Sequence, residues 1–186
     1  LRAFSGDLYF HPQVNIVVAE GRSFIHGDGH QYNLIDIPLV DTFAATAGGN
    51  LVLVENNLYT VEAFEDYLQH LSQDGILTIS RWEFDGMRLV TLFLEASEKL
   101  GMRNPEKHIV IVGNGLQDQS TVLNNYLFKK SEFSPQELAA IKKFAAVNNF
   151  SLTYMPAERR DNDYHGLITT QNKKEFIANY PKNIKP

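Results

Sequence analysis

The chain of 186 residues has no cysteine. That absence excludes disulfides and thiol nucleophiles without fixing the compartment. No apolar run approaches the roughly 18 residues needed to span a bilayer, and no signal peptide is visible at the start. Basic residues are in deficit, 17 Lys and Arg against 22 Asp and Glu, and the net charge of −5 argues against a nucleic-acid partner. Several catalytic signatures are missing: there is no nucleophile elbow, no HExxH and no Walker motif. Neither Gly27-Asp28-Gly29 nor Gly113-Asn114-Gly115 opens a helix, as a phosphate loop would. Internal repeats and low-complexity segments are also lacking. What remains is ordinary for a globular protein: 44% hydrophobic and 21% charged residues. A chain of this length fits a single domain, residues 1–186, able to bury about 70% of its unfolded surface. It opens on Leu1 rather than Met, in what reads as mid-sequence, as expected of a piece of a longer protein.

The stretch from Tyr32 to Trp82 organises the chain. The apolar run Leu34 to Val40 ends in Asp41-Thr42, and a small-residue loop, Ala44 to Gly49, follows. An amphipathic helix is predicted from Val61 to Leu71, with Thr60 as N-cap and Glu62 in the first turn. Its core face is Val61, Phe64, Leu68 and Leu71. A turn at Asp74-Gly75 leads into a second apolar run, Ile76 to Ser80, closed by Arg81-Trp82. Strand, helix, strand is a βαβ unit with parallel strands. Ligands in such sheets sit beyond the carboxyl ends of the strands, which places Pro38, Asp41, Thr42, Arg81 and Trp82 on the functional edge.

Around this unit the pattern is α/β. Leu1 to Gln13 reads as a loop, and Val14 to Ala19, β-branched and apolar, as a buried strand. Ser23 to Ile25 begins a short helix. Met87 to Leu100 is a helix with Gly101 as left-handed C-cap. His108 to Val112 is a strand, turned at Gly113-Asn114-Gly115 into an antiparallel partner, Thr121 to Leu127. Ser134, Pro135 and Glu137 form a capping box with a Phe133–Leu138 staple, opening a helix to Val147. Ser151 to Met155 is a short strand, Arg159 to Asp163 a charged loop and Glu175 to Tyr180 a helix; Pro181 to Pro186 carries no packing signal.

Each candidate functional residue has a plainer alternative. Glu20 before Gly21 at a strand end can accept from an exocyclic amine while Gly21 admits a ring, or it is a solvated acid. Asp41 can orient an amine or cap a turn. Asp36 lies inside an apolar run, where a buried carboxylate faces a cavity or bonds to backbone. His26, Asp28 and His30 make the motif HGDGH, whose reading as a polar turn outweighs a metal cluster because no element fixes its geometry. Arg81-Trp82 is a packed aromatic or a stacking platform.

Taken in order, NIVVAEGRSFI, YNLIDIPLVDTFAATAGG and ENNLYTVEAFEDYLQHLSQDGILTISRW resemble the spermidine synthase-like family. The nearest likeness is to its uncharacterised bacterial branch, in which this domain often follows a membrane region. The resemblance covers roughly residues 10 to 186 and includes SPQELAAIKKFAAVNNFSLTYMP and FIANYP. It implies a Rossmann-like methyltransferase fold, commonly of strand order 3-2-1-4-5-7-6, that binds S-adenosylmethionine or decarboxylated S-adenosylmethionine as substrate. It further implies aminopropyl or methyl transfer to a small-molecule amine or other acceptor, in a cytoplasmic domain. By the same resemblance Glu20 and Gly21 contact adenine, Asp41 is catalytic and holds the acceptor amine, and Tyr59 lines the acceptor pocket; no metal is implied. The family's first catalytic Asp falls on Pro38, which cannot accept a proton, so a non-catalytic sensing or interaction domain is the alternative. The family's first two strands and Gly-rich loop are absent, so the fold is expected to be truncated at the N-terminus. Val14–Ala19 then lacks its neighbours and is expected to pair with another chain, as a homo-oligomer, or to shift against the remaining sheet.

Overall fold

In the computed structural model, which describes residues 2–39, 57–115 and 122–186, a five-stranded mixed sheet carries helices on both faces. Two short helices, α1 (Arg2–Ser5) and α2 (Gly21–Gly27), precede β1 (Tyr32–Ile37). Helix α3 (Val61–His70), β2 (Leu71–Trp82) and α4 (Glu83–Lys99) follow, then β3 (Ile109–Gly113) and β4 (Leu123–Lys129). Helix α5 (Pro135–Val147), β5 (Ser151–Tyr154), α6 (Asp163–Thr169) and α7 (Lys173–Asn179) complete the chain. The strand order is β1-β2-β4-β3-β5. β1 and β2 are parallel, and β4 runs antiparallel to both β2 and β3, which are therefore parallel to each other.

Strand alternation sorts the sheet into two faces. Ile35, Ile37, Leu77, Ile79, Ile109, Ile111, Tyr126 and Phe128 point to one face, where α3, α4 and α6 cover them. Phe128 stacks on Phe93 of α4 at 4.6 Å and meets Phe64 of α3 edge-on at 5.7 Å. Each such aromatic contributes about 1.5–3 kcal/mol by burial. The opposite face is covered over β3 and β4 by α5, through Val110, Phe133 and Met155 with Leu138 and Ile141. Over β1 that face is open, and Leu34 and Asp36 are exposed.

Helix signals read from sequence match closely. The Thr60 hydroxyl accepts from Ala63 N at 3.1 Å. Ser134 and Glu137 make the complete capping box. Gly101, at φ +69°, ends α4 in a Schellman motif, with Met102 N donating to Ser97 O and Gly101 N to Glu98 O.

Several expectations are corrected. Val14–Ala19 is not a strand: it joins no ladder among the described residues, has not shifted onto the sheet, and is mostly solvent-exposed. Asp36 is not buried, because the pleat turns it to the open face. Asp74-Gly75 does not precede β2 but is looped out within it, between the pairs Tyr32↔Leu71 and Leu34↔Ile76. A Cβ at Gly75 would lie 2.7 Å from Tyr32 O, so glycine lets the backbones approach. Helix α4 starts at Glu83 rather than Met87, with Glu83 and Asp85 favoured in its first turn by the helix dipole. β3 and β4 are antiparallel, as read, but they end and begin at Gly113 and Leu123, so no tight hairpin joins them. The tail does pack: Ile184 is buried, and its carbonyl accepts from the Thr91 hydroxyl at 2.6 Å. No helix of the described residues is long and apolar enough to cross a membrane.

Candidate functional site at the carboxyl edge of the sheet

β1 ends at Ile37, opposite Ile79, and β2 runs on past it to Trp82. Pro38 leaves β1 exposed at this edge. Asp41 and Thr42 lie outside the described residues. Arg81 points to the helical face; its guanidinium lies 4.7 Å over the Tyr59 ring, and its Nε donates to Asp85 at 3.1 Å. The structure therefore places Tyr59 beside Arg81 near the end of β2 and buries most of it. Trp82 is half-buried.

Glu20 and Gly21 open α2. Glu20 Oε1 accepts from Arg22 N at 3.0 Å, and Oε2 accepts from Ser23 N at 2.8 Å and Ser23 Oγ at 2.7 Å. Desolvation raises the Glu20 carboxyl pKa, but these hydrogen bonds outweigh it and hold the group below its usual range. These bonds fill three of its roughly four acceptor positions. A Cβ at Gly21 would stand 3.6 Å from Leu58, so the Glu20-Gly21 pair sits against the residue preceding Tyr59. A groove of about 350 Å³ lined by Glu20, Arg22, Ser23, His26, Gly27 and Asn57 runs beside it.

The HGDGH residues divide between different carboxylates. His26 Nδ1 lies 2.9 Å from Asp66, which also accepts from Arg22 Nε at 3.3 Å, whereas His30 Nδ1 lies 2.6 Å from Asp28. Among the described residues no three His, Asp or Glu side chains converge to hold a metal ion. The motif ties α2 to α3 instead.

The structure adds a cluster that sequence reading missed. Glu83, first residue of α4, accepts from the Asn124 side-chain amide and the Tyr164 hydroxyl. The Tyr164 hydroxyl pairs with that of Tyr126 at 2.9 Å, and Asn124 also donates to Tyr126 Oη at 3.2 Å. Burial pushes the Glu83 carboxyl above its usual range, against the two hydrogen bonds that lower it. Burial likewise raises both tyrosines. The available signal was an acid directly after a strand, in a helix first turn. Next to it, a cavity of about 170 Å³ is lined by Ser80, Val112, Gly113, Leu123, Asn125 and Phe150, among others. Its polar walls are engaged: Asn125 Nδ2 donates to Thr78 Oγ1 at 2.8 Å and Ser80 Oγ at 3.1 Å.

No family model matches the chain, and no curated protein matches it. Among solved structures it is similar to the spermidine synthase from Thermotoga maritima, at 17% identity and a TM-score of 0.48. That alignment covers 83% of this chain and 47% of the synthase, so the chain spans about half that protein's length.

Proposed function

We propose that the chain is the acceptor-side part of a group transferase of the spermidine synthase-like kind, which uses S-adenosylmethionine or its decarboxylated form. The observation that carries this reading is the sheet order. β1-β2-β4-β3, with β1 and β2 parallel and β4 antiparallel between β2 and β3, reproduces the 4-5-7-6 half of the methyltransferase order that the sequence motifs imply. In such a transfer the S–C bond of the sulfonium breaks as the acceptor's N–C bond forms. The sulfonium becomes a neutral thioether, and the acceptor amine loses a proton. Alignment supplies most of the acceleration, about 7–11 kcal/mol at best. Asp41 would hold the amine, Tyr59 would line its pocket, and Glu20 and Gly21 would meet the adenine edge. The full-length parent protein, incubated with either nucleoside and a polyamine panel, is expected to transfer the group and release the nucleoside thioether. Asp41→Ala is expected to abolish the transfer. No transfer with any acceptor overturns the reading.

A second reading, a ligand-sensing or interaction domain derived from this fold, is favoured by Pro38 at the exposed end of β1, where the family's proton-accepting Asp would stand. Calorimetry showing nucleoside binding without turnover supports this one instead.

A further inference from the structure

A ring nitrogen facing a carbonyl oxygen has to donate to it, because the carbonyl has no proton to give. His70, the last residue of α3, faces two such oxygens. Its Nδ1 lies 2.8 Å from Asp66 O, one turn back in the same helix, and its Nε2 lies 2.8 Å from the carbonyl of Asp28, the C-cap of α2. A neutral imidazole carries one N–H and would turn a lone pair on the second oxygen. Only the imidazolium donates to both. Flipping the ring gives no escape, since it would replace both N–H donors with C–H edges. The helix dipole favours a cation in this last turn. Charged groups surround the ring. On α3, the Asp66 carboxylate accepts from Arg22 Nε and His26 Nδ1 of α2. At the turn, the Asp28 carboxylate accepts from the Tyr32 hydroxyl and, at 2.6 Å, from His30 Nδ1, a bond that holds it below its usual range. Lys130 Nζ donates to Gln69 O and Leu71 O, the neighbours of His70 in the chain. His26 and His30 each meet a carboxylate through one nitrogen, which a neutral ring can do. Of the three histidines, His70 alone needs its charge to make the bonds it makes.

We propose that His70 is a protonation-dependent clasp: as an imidazolium it pins the C-terminus of α2 to the end of α3, and on losing a proton it releases it. A neutral ring that kept Nε2–H on Asp28 O would press its Nδ1 lone pair on Asp66 O, and the other tautomer would press its Nε2 lone pair on Asp28 O. Because the ring is rigid, relieving either contact shifts both nitrogens. Protonation and clasping are thus linked: mild acid closes the clasp and rising pH opens it. The released element matters because Glu20, Arg22, Ser23 and His26 wall the groove beside α2. The shape of that groove follows the charge on one side chain, whatever ligand the groove takes and independently of the transferase reading. His108 bridges Lys129 O and Arg103 O through both nitrogens in the same way, but within the core, between β4 and the loop after α4. Overall stability would mix the two histidines, so the clasp has to be read at α2 itself.

NMR of the nitrogen-labelled chain tests this. At about pH 7, where a free imidazole is mostly neutral, His70 is expected to carry protons on both ring nitrogens. The amides of Phe24 and Asp28 donate to Glu20 O and Ile25 O within α2. Their hydrogen-exchange protection should fall about tenfold or more between pH 6 and pH 8.5, the contribution of one hydrogen bond to a charged group. Protection of Asn148, at the end of α5, should stay constant. His70→Gln offers donors from a single nitrogen and does not titrate, so its α2 protection should be low and flat with pH. A neutral His70 ring at pH 7, α2 protection indifferent to pH, or a pH step that survives in His70→Gln and so belongs to His26 or His30 would each overturn the proposal. The ring titration is read on the unaltered chain and decides even where the substitution prevents folding.

Discussion

Gly86 sits in the first turns of α4, where alanine would ordinarily be the better residue by about 0.5–1 kcal/mol. Here the preference reverses, because a Cβ would collide with the hydroxyls of Tyr126 and Tyr164. Gly86→Ala is therefore expected to destabilise the fold by about 1–3 kcal/mol, read from the urea midpoint. Adding Tyr164→Phe should recover part of that loss, and strict additivity of the two changes would refute the contact. Glu83, in the same cluster, gives a pH dependence of known sign. Burial raises its folded-state pKa above 4.5, so the unfolded chain ionises first as pH climbs. Its stability contribution is complete below 4.5 and is lost as pH rises through the higher folded value. Glu83→Gln should thus gain on the wild type in urea midpoint as pH is raised from 4.5 towards neutrality. A difference that stays flat across that range would remove the premise of a buried carboxylate. Neither residue was legible in the sequence. Glu83 and Gly86 matter through Tyr126 and Tyr164, which lie 40 or more positions downstream in the chain. Asp36 failed for the complementary reason: a run of apolar letters hides which face each residue takes once the opposite face of the strand is open.

Among elements, α5 was the most legible, because its signals are local. Ser134, Pro135 and Glu137 specify the start by bonds within one turn. What the sequence did not disclose is that Glu137 has a second task. Its two oxygens accept from Lys129 Nζ at 2.7 and 2.8 Å, and the Lys129 side chain is only 4% exposed. The ammonium holds the Glu137 carboxyl below its usual range. The two partners should respond unequally to substitution. Glu137→Ala removes the cap and leaves the buried Lys129 ammonium only the exposed Asp74 carboxylate, 3.6 Å away, with an expected cost of roughly 3 kcal/mol in chemical denaturation. Lys129→Met leaves a half-exposed carboxylate that water can serve, and should cost under about 1 kcal/mol. Equal costs would mean that loss of the pair itself, rather than of the cap or of the ammonium's partner, accounts for the destabilisation. The tail and Val14–Ala19 were misread in opposite directions for one reason. Whether an apolar segment is buried depends on what the remaining fold offers it. Ile184 finds α4, whereas Val14–Ala19 finds no strand beside it.

At the scale of the whole molecule, the parallel pair β1–β2 and the antiparallel hairpin-like pair β3–β4 were both readable from strand spacing. Their interleaving, with β4 between β2 and β3, came only from the family resemblance. The same resemblance bears on what the chain can hold. A sulfonium nucleoside is gripped at its amino-acid tail, its ribose and its adenine together. The Gly-rich loop and ribose acid that would hold the first two are not encoded between Leu1 and Pro186. Of the proposed adenine contacts, Glu20 has most of its acceptor capacity committed to capping α2. One or two hydrogen bonds contribute about 0.5–1.5 kcal/mol each, against an association cost of 4–15 kcal/mol or so. A millimolar dissociation constant already requires about −4.1 kcal/mol. S-adenosylmethionine titrated into this 186-residue chain should accordingly bind more weakly than roughly 1 mM. A micromolar dissociation constant for the chain as a monomer would show that the groove beside Glu20 belongs to a complete nucleoside site that needs no Gly-rich loop.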